Sequence, residues 1–134
     1  IHSMADIPFL NPMLSRDVCY STYYVMPICF REELGGISRN DFIQTANAEG
    51  ALFYQGYSEP IYFQPVYQQK ILYKKGYPFS APANSKCVMN YQRGICPNAE
   101  ELYFNRMIIN EHIRLPQLKD DIDDLVDIIN KINA

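Results

Sequence analysis

The sequence predicts an α+β two-layer sandwich: a small antiparallel or mixed sheet of about three strands, covered on one face by about three helices, with a long aromatic loop. Three observations lead there. Residues 21–30, 51–54 and 107–109 are short runs of aromatic and β-branched residues that suit a pleated, half-buried surface. Ile122, Leu125, Val126, Ile129 and Ile132 keep the i, i+3, i+4, i+7 spacing of an amphipathic helix. Between them, residues 55–96 carry rings separated by prolines and show only weak strand signals, such as Ile71, Leu72 and Tyr73. At 134 residues the chain is long enough to bury roughly two thirds of its unfolded surface in one domain.

Each element has a local cause. Ile1, His2 and Ser3 precede Met4 and read as a cloning scar, so a single domain is expected over 4–134. Residues 6–13, with Pro8 and Pro12, read as a lead-in segment. The first strand is expected over 21–30, where Pro27 should force an edge position or a bulge because it cannot donate to a ladder. Residues 31–36 read as a polar turn. Ser38 is a good N-cap, with Asp41 at the acidic position of a capping box. Phe42, Ile43 and Ala46 form the stripe of the helix that follows, and Gly50 supplies its left-handed stop. A short strand, 51–54, completes a strand–helix–strand unit.

The loop begins at once. Tyr57, Tyr62, Phe63 and Tyr67 alternate with Pro60 and Pro65, and 76–82 repeats the texture. Proline fixes φ and removes a donor, so such a segment is ordered without joining a sheet. Structureless segments longer than about 12–15 residues are uncommon in compact domains and tend to be functional or disordered, and the aromatic content argues against disorder. Pro97 opens the next helix at N1, with Glu100 and Glu101 in its first turn, and this helix is expected to end near Phe104. Met107, Ile108 and Ile109 form a further strand, Leu115 and Pro116 close that passage, and the last helix runs from about Asp120 to Asn130 or beyond. Its early acids, Asp120, Asp121, Asp123 and Asp124, read as solvated charges at the positive helix end.

Composition excludes several function classes. A net charge of −3 offers no electrostatic footprint for nucleic acid. No stretch approaches the roughly 20 apolar residues of a membrane span, and no signal core follows a basic start, so a cytoplasmic location is expected. Cys19, Cys29, Cys87 and Cys96 lack metal-finger spacing and are expected as buried, reduced thiols. His112 is the one histidine after the scar, which argues against a zinc site and against a Ser-His-Asp or Cys-His centre.

Two blocks then meet. The first is Ser38, Arg39, Asn40, Asp41 and Phe42, through Ala48, Glu49 and Gly50 to Gly56, Tyr57, Pro60, Ile61 and Tyr62. The second is Cys96, Pro97, Asn98, Ala99, Glu100 and Glu101. With Leu115, Pro116 and the Asp-rich final helix, they resemble in order and spacing the C-terminal part of the DegT/DnrJ/EryC1/StrS aminotransferases. These are pyridoxal-phosphate enzymes of fold type I that aminate keto-sugars and keto-cyclitols.

The resemblance implies the small domain of a larger enzyme, inactive by itself. It implies a large cofactor domain of the same protein as partner, a homodimer, and a sugar or cyclitol substrate in the parent, with glutamate or glutamine as amino donor. The cofactor would belong to the large domain. Lys70, Lys74, Lys75, Lys86, Lys119 and Lys131 all lack the context of the family's Schiff-base lysine, and no glycine-rich phosphate cradle is present. The aromatic loop would form one wall of the substrate cleft. There Tyr57 and Tyr62 offer rigid rings with hydroxyls that reach a sugar or the large domain. Arg93 offers a planar fork to an anionic group such as a carboxylate. An alternative from another class is a non-catalytic module of the same fold that binds a protein or a glycan.

Overall fold

The computed structural model describes residues 4, 6–13, 15–87, 90–114 and 116–133; the three positions of the expected scar and Leu115 lie outside the described residues. Four strands, β1 (Leu10–Pro12), β2 (Met26–Phe30), β3 (Phe53–Gln55) and β4 (Met107–Asn110), form one antiparallel sheet in the order β1-β2-β4-β3. The helices are α1 (Glu32–Gly35), α2 (Arg39–Ala48), α3 (Pro65–Gln68), α4 (Pro97–Glu101) and α5 (Lys119–Asn133). The architecture is α+β, with α2 and α5 on one face of the sheet.

That face holds the core. Met26, Ile28 and Phe30 of β2, Phe53 of β3 and Ile108 of β4 meet Phe42, Ile43 and Ala46 of α2 and Leu125 and Ile129 of α5, all buried. Phe42 packs against Phe9, Phe30 and Phe53 with ring centroids 5.0–5.9 Å apart. The other face carries Asn11, Pro27, Cys29, Tyr54, Met107 and Ile109; of these only Ile109 is buried. Among the described residues, no helix is long and apolar enough to cross a membrane.

Helix α2 starts as its cap dictates: the Ser38 hydroxyl accepts from the Asp41 amide (3.1 Å) and donates to the Asp41 carboxylate (2.7 Å). Its stop is Gly50, at φ 102°. The Asn47 side chain then serves as a substitute strand partner, accepting from the Phe53 amide (2.6 Å) and donating to the Phe53 carbonyl (2.8 Å). Leu52, at φ 54°, delays β3 to Phe53, two residues later than the propensity pattern starts it.

Several expectations are corrected. The sheet has a fourth strand, β1, in the segment read as a lead-in; Pro12 is tolerated because β1 is an edge. Residues 21–25 are not strand, and Tyr23 has φ 48° there. Pro27 lies inside β2, an interior strand, with no bulge. Its carbonyl accepts from Met13 (3.2 Å), just past the end of β1. An extended residue points its N and its carbonyl to the same side, so the missing donor costs the β2–β4 ladder nothing.

The polar turn 31–36 contains one helical turn, α1. Helix α4 gives way to a π turn over Leu102–Arg106, so helical backbone continues two residues past Phe104. Residues 71–73 form no strand. The four cysteines are unpaired, but Cys19, Cys87 and Cys96 are exposed and Cys29 is only partly buried.

Candidate functional site

The aromatic loop leaves the sheet at Gly56. Its amide still donates to the Met107 carbonyl (2.9 Å), while its φ of 51° turns the chain away. A Cβ there would sit 2.8 Å from the Tyr103 ring, so a side chain would be both strained and obstructed.

From there the loop is tied to itself. Residues Ile61–Phe63 form a 3-10 turn, and Pro65 at the first helical position begins α3. Gln68 of α3 reaches across both arms: its Nε2 donates to the carbonyls of Tyr62 (2.7 Å) and Tyr91 (2.8 Å). Inside, Tyr67, Phe79 and Tyr91 meet edge to face, with centroids 5.4–6.4 Å apart. The proline-spaced rings therefore build a small closed lobe.

Glu100 closes the neck of that lobe. Burying a carboxylate is costly unless its oxygens find donors. Glu100 is only 8% exposed; its donors are the Tyr62 hydroxyl and the Gly94 amide (2.6 Å), and Arg93 Nε pairs with it electrostatically at 3.8 Å. Arg93 also lies over the Phe104 ring, 4.4 Å from its centroid, and Phe63 packs edge-on to Phe104. Because Pro97 fixes where α4 begins, the Glu100 side chain comes to stand between Tyr62 and Gly94.

The Tyr62 hydrogen bond holds the Glu100 carboxyl below its ordinary range, against the opposing effect of burial. Burial, with the same hydrogen bond second, pushes the Tyr62 hydroxyl up to about 12. A depressed carboxyl binds its proton less tightly in the folded state than in the unfolded one. Its stabilising effect is therefore complete above the usual glutamate value of about 4.3 and is lost as pH falls through the lower folded value. Tyr62 is the mirror case: its effect is complete below about 10 and is lost as pH rises through about 12. The Gly94 amide resonance, followed by NMR, is expected to titrate with a midpoint below about 4.3. A midpoint at or above that value would mean that Glu100 is not the acceptor that holds the neck.

Two of the three residues expected to touch substrate, Tyr62 and Arg93, thus come together at Glu100, and the Tyr62 hydroxyl is engaged there. Tyr57 stands apart. It is 54% exposed, lies edge-on to Tyr24 (6.5 Å) and donates to the Tyr24 hydroxyl over 3.5 Å, which raises its own hydroxyl above the phenol range. Arg114 lies 5.8 Å from the Tyr24 ring centroid, and Tyr54 stacks obliquely near His112 (6.3 Å). Comparison with protein-family models and with curated proteins returned no match to this chain.

Pyridoxal phosphate needs a sequestered lysine amine and an anion cradle. All six lysines are exposed here, Lys119 is paired with Asp123, and Lys131 is paired with Glu49 at 2.7 Å. These residues do not fit the cofactor. Among the described residues, no group of three or more His, Cys, Asp or Glu side chains is placed to hold a metal ion.

In the sequence Glu100 reads as a helix-end acid, and neither Gln68 nor Arg39 stands out as a tie between segments. Arg39 is 5% exposed and joins α2 to the turn before β4, donating to the carbonyls of Tyr103 (2.9 Å) and Met107 (3.4 Å); burial lowers its pKa. The one local signal for Glu100 was its fixed distance from Pro97. Gln68 carried none.

Proposed function

We propose that this chain is the C-terminal small domain of a pyridoxal-phosphate-dependent, fold type I aminotransferase that aminates a nucleotide-linked keto-sugar or a keto-cyclitol. The cofactor then sits on a large domain of the same protein, which is cytoplasmic and homodimeric. The observation that carries this reading is an ordered tyrosine surface beside an open sheet face: Tyr24, Tyr54 and Tyr57 are 67%, 45% and 54% exposed. Monomeric proteins seldom leave large apolar surface bare, and tyrosine suits a cleft wall because its ring buries area while its hydroxyl meets a polar partner. Tyr57 and Tyr24 then present hydroxyls toward sugar, and the largely exposed guanidinium of Arg93 faces an anionic group. In the complete enzyme the cofactor supplies the electron sink.

The test is the coding sequence upstream of Met4. A cofactor domain with its Schiff-base lysine in the same reading frame is the expected result; a separate start codon with no such domain would overturn the reading. This chain, titrated with pyridoxal phosphate, is expected to show only the absorbance of free or nonspecifically bound aldehyde. A stoichiometric adduct mapped to one lysine would contradict it.

One observation favours the second reading, a non-catalytic protein- or glycan-binding module: the lobe is closed by its own residues, Gln68 and Glu100, and needs no second domain to order it. Binding of a glycan by this chain, abolished by Tyr57→Ala, would support that alternative.

A further inference from the structure

Charge is segregated along this chain. Between Pro60 and Ala99 there are five basic residues and no acidic one, whereas the rest carries seven basic against fifteen acidic residues. The closed lobe is therefore a cationic body on an otherwise anionic domain.

Its tip is built to project. The Tyr73 amide donates to the Tyr77 carbonyl (2.9 Å), and Gly76 to the Tyr73 carbonyl (3.2 Å), with Lys75 and Gly76 both at positive φ. The Ser80 hydroxyl fastens the turn to the Lys75 carbonyl (2.8 Å). Lys74 and Lys75 are exposed, and Tyr73 and Tyr77 remain 63% and 55% exposed although their rings lie 6.2 Å apart. This is a short aromatic knob flanked by ammonium groups.

A complementary surface lies elsewhere on the same chain. Helix α5, the turn after α2 and the segment following β4 enclose an open groove of about 550 Å³. Asp121, Asp124 and Asp127 stand on its rim and are exposed, and Leu52, Ile113 and Ile128 line its floor. Gln117 also lines it, and the Gln117 Oε1 atom is buried with no hydrogen-bond partner among the described residues. Asp121, Asp124 and Asp127 all have no ion pair among the described residues, and Lys131, the one cation lining the groove, is paired with Glu49.

We propose that the groove receives the lobe tip of a second copy of this chain, with Tyr73 or Tyr77 inserted over the apolar floor and Lys74 and Lys75 against the aspartates. The volume suits it, since clefts of about 300–1,000 Å³ enclose drug-sized groups, the scale of a tyrosine with a neighbouring lysine stem. The charges match in sign. The two surfaces differ, and in a two-fold pair each tip enters the partner's groove, which closes the assembly. Exposed ion pairs are individually weak and salt-sensitive; the buried ring supplies the remaining attraction. This contact rests on lobe and groove alone and does not depend on the aminotransferase reading.

Sedimentation velocity of the intact chain, at several concentrations, tests it. A closed dimer is expected, weakened roughly tenfold or more between about 0.05 M and about 0.5 M salt. Lys74→Glu with Lys75→Glu should dissolve it, as should Asp124→Lys with Asp127→Lys, each variant first shown by circular dichroism to be folded. Mixing those two variants should restore the dimer, because every lobe then meets a groove of opposite sign. A chain that stays monomeric at every concentration overturns the proposal. So does a dimer indifferent to both charge reversals, or a mixture that fails to reassociate. Binding of a short oligonucleotide by the lobe, without self-association, would assign the cationic knob to nucleic acid instead.

Discussion

Ile129→Asp is expected to unfold the domain. Ile129 is fully buried, and α5 is held to α2 and the sheet by little else than Leu125 and Ile129, with Val126, Ile128 and Ile132 packed around them. A carboxylate there has no donor within the apolar core, and such a charge costs several kcal/mol. The lost side chain adds about 2–5 kcal/mol. Together these reach the whole stability of a typical domain, about 5–15 kcal/mol. Val126→Asp should be milder, because Val126 is only partly buried.

The contrasting substitution lies on the same helix. Asp124→Asn changes one exposed charge near the helix N-terminus and should cost about 0.5 kcal/mol. Thermal denaturation of the two variants separates them at once: no cooperative transition for Ile129→Asp, and a shift of a few degrees at most for Asp124→Asn. Similar shifts for both would mean that the buried stripe of α5 is misassigned.

The parts of this fold that were legible in the sequence are those whose cause is local. The cap at Ser38, the stop at Gly50 and the stripe of α5 need only neighbours within a turn or two, and all three stand where the pattern puts them. What escaped was decided at long range. β1 exists because β2 offers it an edge, and Pro8 before it and Pro12 at its end conceal it. Pro27 is harmless in an interior strand only because Met13 ends its pairing there, which no local rule contains.

The candidate site divides in the same way. The loop was visible through its rings and prolines, and Tyr57, Tyr62 and Arg93 could be picked out by type. Which of them meet was not visible, because the meeting depends on Glu100 from α4. A buried acid and a solvated one look alike until the partners across the loop are known.

Glu100→Ala is expected to open the lobe without unfolding the sheet. The carboxylate gathers the Tyr62 hydroxyl and the Gly94 amide, one from each arm, with Arg93 nearby, so removing it releases both sides of the neck together. Hydrogen bonds to a charged acceptor are the stronger kind, and such local openings proceed below the free energy of global unfolding. Hydrogen exchange should show it: the amides of Gly94, Ser80 and Asn84 are expected to exchange at least roughly tenfold faster, the factor that loss of one charge-assisted hydrogen bond brings. The amides of β4, held between β2 and β3, should keep their protection. Tyr62→Phe removes one donor and leaves Gly94 bound, so it should give a smaller increase in the same direction. Unchanged exchange in Glu100→Ala would shift the closure to Gln68, whose bridge between the Tyr62 and Tyr91 carbonyls would then be the tie to cut. Faster exchange throughout the sheet would mean instead that lobe and sheet fold as one cooperative unit.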